Sequence, residues 1–238
     1  MDVSEPCWCV VVAAGRGLRF GGERPKQYAP IDGRPLLAWT LDRLAAHPRI
    51  AGLVVVLAAG DPYWPALDKP VGTPLLVATG GQTRADSVLA GLDALPAAVA
   101  SEDFVLVHDA ARPCVRAEDV DRLITLGVPA GGGLLAAPLR DTLKRADASQ
   151  RVDATEPREA RWRALTPQLF RRGALAAALS SARLDGVDVT DEAMAMERCG
   201  ARPLLVEGAD DNIKVTTPAD RALAEFLLRR LAADATAS

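Results

Sequence analysis

The amino-acid sequence predicts an α/β fold with a mainly parallel sheet, built as one domain over residues 1–238. Short apolar runs rich in β-branched residues alternate with longer helical patterns, which is typical of βα units. A length of 238 residues is enough for one sizeable domain with a buried core. Apolar residues make up 49% of the chain and charged residues 25%, the balance of an ordinary globular protein.

The alternation predicts six strands and four helices. Strands are expected at residues 7–14, 53–58, 75–78, 104–108, 133–137 and 204–207. Helices are expected at residues 35–46, 84–95, 117–125 and 218–233. This order favours a sheet whose helices connect successive parallel strands.

Residues 139–163 interrupt this alternation. The segment is rich in charge, begins with the alternating run Leu139-Arg-Asp-Thr-Leu-Lys-Arg, and has no apolar stripe suited to a core helix. Loops of this length are uncommon in compact domains. A protruding β-arm that packs on a second subunit and a long disordered loop are the two interpretations.

Composition excludes several classes of function. The formal net charge is −3, so no basic surplus points to nucleic acid or to an anionic membrane surface. The longest apolar stretches, such as residues 7–14, are far shorter than the ~20 residues of a membrane-spanning helix. The first six residues contain two acids and no base, unlike a secretory signal, so a cytoplasmic enzyme is expected. The spacing of Cys7, Cys9, Cys114 and Cys199 fits neither a zinc site nor a redox pair.

A glycine-rich turn follows the first predicted strand. Residues 13–22 read AAGRGLRFGG, and residues 25–28 read PKQY. Glycines let backbone N–H groups approach phosphate oxygens, and Arg19 and Lys26 add positive charge. The turn does not match a P-loop, which needs GxxxxGK(S/T), and it does not match a dinucleotide fingerprint, because Gly15 and Gly17 are not followed by the required third glycine. A tight surface turn remains the alternative.

Charged and polar residues also follow three other predicted strands. Asp109, after residues 104–108, is suited to hold Mg²⁺ together with phosphate oxygens, and Arg112 to meet an anion. The alternative is that these two merely pair with each other. Residues 80–87, GGQTRADS, offer backbone groups and a hydroxyl to a base or ribose, or else form a helix cap. Residues 210–216, DDNIKVT, combine acids with Lys214, which could equally be a solvated charge pair.

Seven motifs in one consistent order resemble the 2-C-methyl-D-erythritol 4-phosphate cytidylyltransferase family of the non-mevalonate isoprenoid pathway. They are AAGRGLRF with PKQY, GGQTRADSV, VLVHDAARP, RDTLKR, RALTPQLF, VTDEA and DNIKVT. The resemblance implies a Rossmann-like nucleotide-diphospho-sugar transferase fold with a β-arm for dimerisation. It also implies attack of methylerythritol 4-phosphate on the α-phosphorus of CTP with Mg²⁺ assistance, release of pyrophosphate, and a homodimer.

The resemblance assigns roles to particular residues. Arg19 and Lys26 would stabilise the five-coordinate phosphorus, while Lys214 and Arg158 would hold the attacking phosphate. Arg158 would serve the partner subunit's site, with Arg161 as the alternative arginine.

Binding roles follow from the same motifs. Nucleotide-binding positions are Ala13, Ala14, Gly15, Arg16, Gly17, Gly81, Gln82, Arg84, Ser87, Asp109 and Ala110. Polyol-phosphate positions are Asp109, Arg112, Thr142, Thr166, Thr190 and Asp211, and Asp109 is also the metal ligand. The family often has an acid where Gln82 stands, so the resemblance does not carry over the contact that reads the base.

Three other functions are weighed against this one. A pentitol phosphate cytidylyltransferase, for instance one acting on ribitol 5-phosphate, would share the nucleotide half of the site. A non-catalytic nucleotide-binding protein would not need Arg19, Lys26, Asp109 and Lys214 together. An NAD-dependent oxidoreductase is disfavoured by the missing third glycine.

Overall fold

A seven-stranded sheet forms the centre of the molecule, with strand order β11-β7-β10-β6-β1-β4-β5. A computed structural model of the chain describes residues 6–15 and 24–236. The strands of this sheet are β1 Cys7–Val12, β4 Ile50–Leu57, β5 Leu75–Thr79, β6 Phe104–Asp109, β7 Gly133–Pro138, β10 Trp162–Arg171 and β11 Leu204–Glu207. Two further pairs, β2 Pro30–Ile31 with β3 Arg34–Pro35 and β8 Leu143–Ala146 with β9 Val152–Glu156, form separate two-stranded sheets.

Helices cover both faces of the central sheet. Their bounds are α1 Leu36–Ala45, α2 Arg84–Asp93, α3 Ala117–Gly127, α4 Arg172–Leu184, α5 Glu192–Arg198 and α6 Pro218–Thr236. Successive residues of β1 point to opposite faces: Val11 joins the core formed with α1 and α3, and Val10 joins the core formed with α2, α4 and α5. This explains why β4 and β6 read as continuous apolar runs, since both of their faces are covered.

Strand pairing is mainly parallel. β1 pairs in parallel with β4 and β6, β4 with β5, and β7 with β11. β10 is the exception, because it lies antiparallel between β6 and β7. The predicted fold class is confirmed, and the six predicted strands are present with shifts of a few residues at their ends.

β10 and α5, which build the site, and α4, which packs against α2 and α5, were not predicted from the sequence. Pro167 lies inside β10, and a proline in the interior of a run argues against a central strand. The pairing of β10 with β7 is interrupted between Ala164 and Gln168, which accommodates that proline. β10 pairs antiparallel with β6 and thereby places residues that are distant in the sequence beside the carboxyl end of β6.

The segment at 139–163 contains a hairpin. Strands β8 and β9 pair antiparallel, and the hairpin extends beyond the ladder of β7 and β10, where the Leu139 amide donates to the Arg161 carbonyl at 2.9 Å. Most of its side chains are exposed, including Val152 at 65%. The loop interpretation is therefore replaced by a β-hairpin, and its packing on a second subunit stays a prediction. Of the helices in the described residues, none has both the length and the apolar character needed to cross a membrane.

Candidate active site

A cleft of about 220 Å³ lies at the carboxyl ends of β1, β5 and β6. Ligands of open α/β sheets bind at this edge, because the turns after the strands converge there. Of the residues predicted for the site, the cleft wall contains Ala13, Ala14, Gly15, Lys26, Gly81, Gln82, Arg84, Ser87, Asp109, Ala110 and Lys214. Residues that lie up to 201 positions apart in the sequence, from Ala13 to Lys214, are thus brought to one surface.

The two turns on the nucleotide side of the cleft are held close together. A Cβ atom at Gly80 would lie 2.5 Å from the Ala14 Cβ, so only glycine permits this approach. Thr83 caps α2, accepting the Asp86 amide while the Asp86 carboxylate accepts the Thr83 amide. The predicted helix cap is therefore present at Thr83, and the same turn also presents Gly81 and Gln82 to the cleft.

Asp109 is the charged centre of the site. Its Oδ1 accepts from Arg84 Nη2 at 3.2 Å, and its Oδ2 lies 2.8 Å from Lys214 Nζ and 3.6 Å from Arg112 Nε. Its residue exposure is 7%. The predicted pairing of Asp109 with Arg112 is present, but it is the longest of these three contacts. Asp109 is the common anion for one cation on α2 and two cations in loops.

Electrostatics keep Asp109 ionised. Burial alone would raise the pKa of Asp109, but the adjacent charges of Arg84, Lys214 and Arg112 outweigh burial and lower that pKa below its usual range. Burial alone would likewise lower the pKa of Arg84, yet the carboxylates of Glu192 and Asp109 raise it. Asp109 and Arg84 are therefore both charged at neutral pH.

A hydrogen-bond chain behind Asp109 fixes its backbone. The Asp109 amide donates to Thr166 Oγ1 at 3.1 Å, and Thr166 Oγ1 lies 2.9 Å from His108 Nδ1. His108 Nε2 lies 3.0 Å from the Arg112 carbonyl, which can only accept, so we assign the proton of the neutral ring to Nε2 and the Thr166 hydroxyl as donor to Nδ1. Thr166 is 4% exposed. It supports Asp109 from within the protein.

The two lysines of the site are tied to one loop. Lys26 Nζ donates to the Val215 carbonyl at 3.1 Å, and Val215 directly follows Lys214. Lys214, with 39% of its side chain exposed, reaches Asp109 from the same loop. Both ammonium groups therefore line the cleft.

Other predicted residues do not line this cleft, although Arg112 contacts Asp109 from behind its wall. Arg112 is 9% exposed and donates to the Asn212 carbonyl at 2.7 Å, and Asp211 pairs with Arg116 at 2.5 Å. Thr142 is exposed just before β8, and exposed Thr190 contacts the Met194 sulfur at 3.6 Å. Arg158 follows β9 and donates to the Arg140 carbonyl at 2.5 Å. Arg16, Gly17 and Arg19 lie outside the residues that the structure describes.

Three residues of the site were missed from the sequence. Gln27 is 3% exposed and donates to the Ala13 carbonyl at 2.8 Å, which anchors the turn after β1. Asn212 donates to the Thr166 carbonyl at 2.8 Å. Glu192 is wholly buried and pairs with Arg84. All three residues lie within the quoted motifs: Gln27 in PKQY, Asn212 in DNIKVT and Glu192 in VTDEA. The spacing of the motifs did not indicate which residues they contact.

Comparison with known proteins identifies the family. The sequence model of the family described as 2-C-methyl-D-erythritol 4-phosphate cytidylyltransferase matches residues 7–230. This chain belongs to that family. The resemblance inferred from the seven motifs is confirmed.

Curated relatives and solved structures of this cytidylyltransferase family agree with the match. The 2-C-methyl-D-erythritol 4-phosphate cytidylyltransferase of Xanthomonas euvesicatoria pv. vesicatoria is 60% identical over 222 residues, which cover 93% of this chain and 84% of the relative. The crystal structure of the enzyme of that name from Francisella tularensis has a TM-score of 0.80 and 32% identity, covering 94% of this chain and 100% of the other. The corresponding structure from Thermus thermophilus has a TM-score of 0.76 and 33% identity, with coverage of 94% and 99%.

His108 should make the stability of the fold depend on pH. Burial lowers the pKa of His108 to about 4, compared with about 6.5 in an unfolded chain. Between these values the unfolded state binds more protons, so the free energy of unfolding falls as pH drops from about 6.5 to 4, by about 3 kcal/mol in total. Urea unfolding at a series of pH values measures this change.

The variant His108→Gln isolates that contribution. Its amide can still donate to the Arg112 carbonyl but does not titrate in this range, so we expect a shallower loss of stability between pH 6.5 and 4. Asp109 acts in the same direction only at lower pH, because its pKa is depressed. Identical pH profiles for the two proteins would contradict the role given to His108.

Proposed function

We propose that this chain transfers the cytidylyl group of CTP to 2-C-methyl-D-erythritol 4-phosphate, releasing pyrophosphate and forming 4-diphosphocytidyl-2-C-methyl-D-erythritol in non-mevalonate isoprenoid biosynthesis. Membership of the cytidylyltransferase family gives the reaction class. The observation that carries the proposal is the convergence of Lys26, Asp109 and Lys214 on one cleft beside two glycine-rich turns.

The reaction brings one anion onto another. A phosphate oxygen attacks the α-phosphorus of a triphosphate, so the bond to pyrophosphate breaks as the new phosphoanhydride bond forms. No side-chain nucleophile is required, and the catalytic task is positioning and neutralisation of charge. One cation 4 Å from a phosphate charge contributes roughly 4 kcal/mol at an effective dielectric of 20, before desolvation.

The lysines supply such cations at fixed positions. Lys26, with Arg19, would stabilise the charge on the five-coordinate α-phosphorus. Lys214, with Arg158, would hold the attacking phosphate. The hydrogen bond from Lys26 to the Val215 carbonyl keeps the first ammonium group next to the loop that carries the second. This proximity suits two phosphates that must touch during the reaction.

The two glycine-rich turns would receive the nucleotide. Ala13, Ala14 and Gly15, with Arg16 and Gly17, would line the triphosphate. Gly81, Gln82 and Ser87 would contact the base and ribose, with Arg84 and Ala110 beside them. The Ser87 hydroxyl already donates to the Thr83 carbonyl at 3.0 Å, which leaves its lone pairs to accept a hydrogen bond.

The polyol phosphate would bind on the side of Lys214. Asp109 would contact it, and Arg112 and Thr166, which are both buried, would hold Asp109 in place. Thr142, Thr190 and Asp211 would complete the pocket. Thr142 and Thr190 are exposed in one chain, and Asp211 is half-buried and pairs with Arg116.

Mg²⁺ fits this site as a cation carried in with the nucleotide. Three cations (Arg84, Arg112 and Lys214) and two carboxylates (Asp109 and Glu192) form this cluster and leave it with a net positive charge, which disfavours a free divalent cation. Among the described residues, no group of three or more His, Cys, Asp or Glu side chains could hold a metal ion. Asp109 would be a single protein ligand, with phosphate oxygens and water completing the shell. When bound, Mg²⁺ neutralises phosphate charge.

We propose that the hairpin of β8 and β9 is the arm of a homodimer. An isolated two-stranded hairpin is at best marginally stable in water. Most side chains of this hairpin are exposed in one chain, which leaves them available to pack on a second copy. Arg158 does not line the cleft of its own chain. Such packing would bring Arg158 of one chain to the cleft of the other chain.

A cytoplasmic location is proposed as well. Cys9 and Cys114 are buried thiols that form no disulfide, as expected in a reducing compartment. No nucleic acid or membrane partner is proposed.

Turnover with different polyol phosphates tests the substrate. Pyrophosphate release from CTP should be fastest with 2-C-methyl-D-erythritol 4-phosphate and much slower with ribitol 5-phosphate, because the arm and the region of Thr190 would discriminate between the two acceptors. Kinetics of pyrophosphate release with each acceptor provide the measurement. A preference for ribitol 5-phosphate would overturn the substrate assignment, and absence of turnover with both would indicate a binding protein.

Mixed dimers test the arm. Lys26→Ala and Arg158→Ala should each lower turnover by orders of magnitude, since each removes charge stabilisation from every site. Random exchange of the two inactive proteins should restore about a quarter of wild-type turnover, because half of the dimers gain one intact site.

A mixture of Lys26→Ala with Arg161→Ala, in place of Arg158→Ala, identifies which arginine acts on the partner's site. If both mixtures stay as inactive as their components, neither arginine acts across the dimer. A mixture of Lys26→Ala with itself is the control and should remain inactive.

A further inference from the structure

Glu192 is a buried carboxylate that the proposed mechanism does not use. It is the first residue of α5 and is 0% exposed. Both of its oxygens accept from Arg84: Oε2 from Nη2 at 3.1 Å, and Oε1 from Nη1 in a shorter contact. A buried ion pair of this kind is weak evidence for stability, because desolvation offsets much of the attraction. The two-pronged contact between Glu192 and Arg84 therefore calls for an explanation other than stability.

The backbone around Glu192 is held rigidly. Gln168 on β10 accepts the Ala193 amide at 2.8 Å and donates to the Asp191 carboxylate at 3.0 Å. Asp191 in turn caps α5 by accepting the Met194 amide at 2.9 Å. The backbone that carries Glu192 is thus held in place, so the Glu192 carboxylate can orient Arg84.

Arg84 is shared between Glu192 and Asp109. Its Nη1 and Nη2 point to Glu192, while its Nε and Nη2 reach Asp109 Oδ1 at 3.3 and 3.2 Å. The two-pronged contact with Glu192 fixes the plane of the guanidinium group. Only one oxygen of Asp109 is then engaged by Arg84, and the other is left for Lys214 at 2.8 Å.

We propose that Glu192 is a positioning residue that acts through Arg84 and Asp109 to place the Lys214 ammonium group for the attacking phosphate. The inference rests on the function proposed above. Without the charge of Glu192, Arg84 can turn both of its prongs to Asp109 and compete with Lys214 for that carboxylate. Lys214, whose side chain is 39% exposed, then loses its fixed place and turns to solvent.

The variant Glu192→Gln tests this chain of contacts. Its amide fills the same space but carries no charge, so we expect kcat/KM for the polyol phosphate to fall about 10- to 100-fold, the range for a misplaced catalytic group. The dissociation constant of CTP, measured calorimetrically without the acceptor, should change much less than kcat/KM, because Lys26 and the glycine turns are unchanged and only the Arg84 contact shifts. The matched control is Glu197→Gln, an exposed carboxylate on the same helix, which should behave as wild type.

Two results would overturn the inference. One is wild-type kinetics in Glu192→Gln; the other is a parallel loss of CTP binding and acceptor turnover, which a merely structural role would produce. If Glu192→Gln does not fold, Glu192→Asp keeps the charge but shortens the reach, and the same two measurements decide. Failure of the proposed function itself is distinct, because the wild-type protein would then release no pyrophosphate.

Discussion

The attraction between one buried carboxylate and three cations organises this site. Asp109 lies at the end of β6, where Arg84, Arg112 and Lys214 meet it from three directions. These three cations repel one another, and the attraction of each to the carboxylate offsets that repulsion. Asp109 therefore allows a concentration of positive charge that two anionic substrates require, at a place where the sheet provides the opening.

The antiparallel strand β10 connects this charge cluster to the rest of the fold. Thr166 on β10 holds the Asp109 amide, and Gln168, two residues later, holds the start of α5. One strand thus supports both carboxylates that bind Arg84. A sheet that was parallel throughout would not place these two residues beside the end of β6 in the same way, so the departure from parallel order is part of the site's construction.

The sequence predicted the class of fold and the strand ends that bear chemistry, since apolar runs followed by glycines or charges are local signals. Asp109 and the turn at Gly81 were found in this way. The convergence of Lys26 with Lys214 is a non-local property, and only the family resemblance suggested it. β10 was missed because Pro167 argues against a central strand, and Glu192 was missed because its significance depends on a helix and a partner that no periodicity revealed.

The crystal structure of an Asp109→Asn variant would test the central claim most directly. If the carboxylate gathers the cations, the Lys214 ammonium group should move beyond about 4 Å from the side chain at position 109, outside ion-pair range. Arg84 should remain on Glu192. A Lys214 ammonium group that keeps its wild-type position beside an uncharged amide would show that other contacts place the cations, and Asp109 would then not be the organising charge of the site.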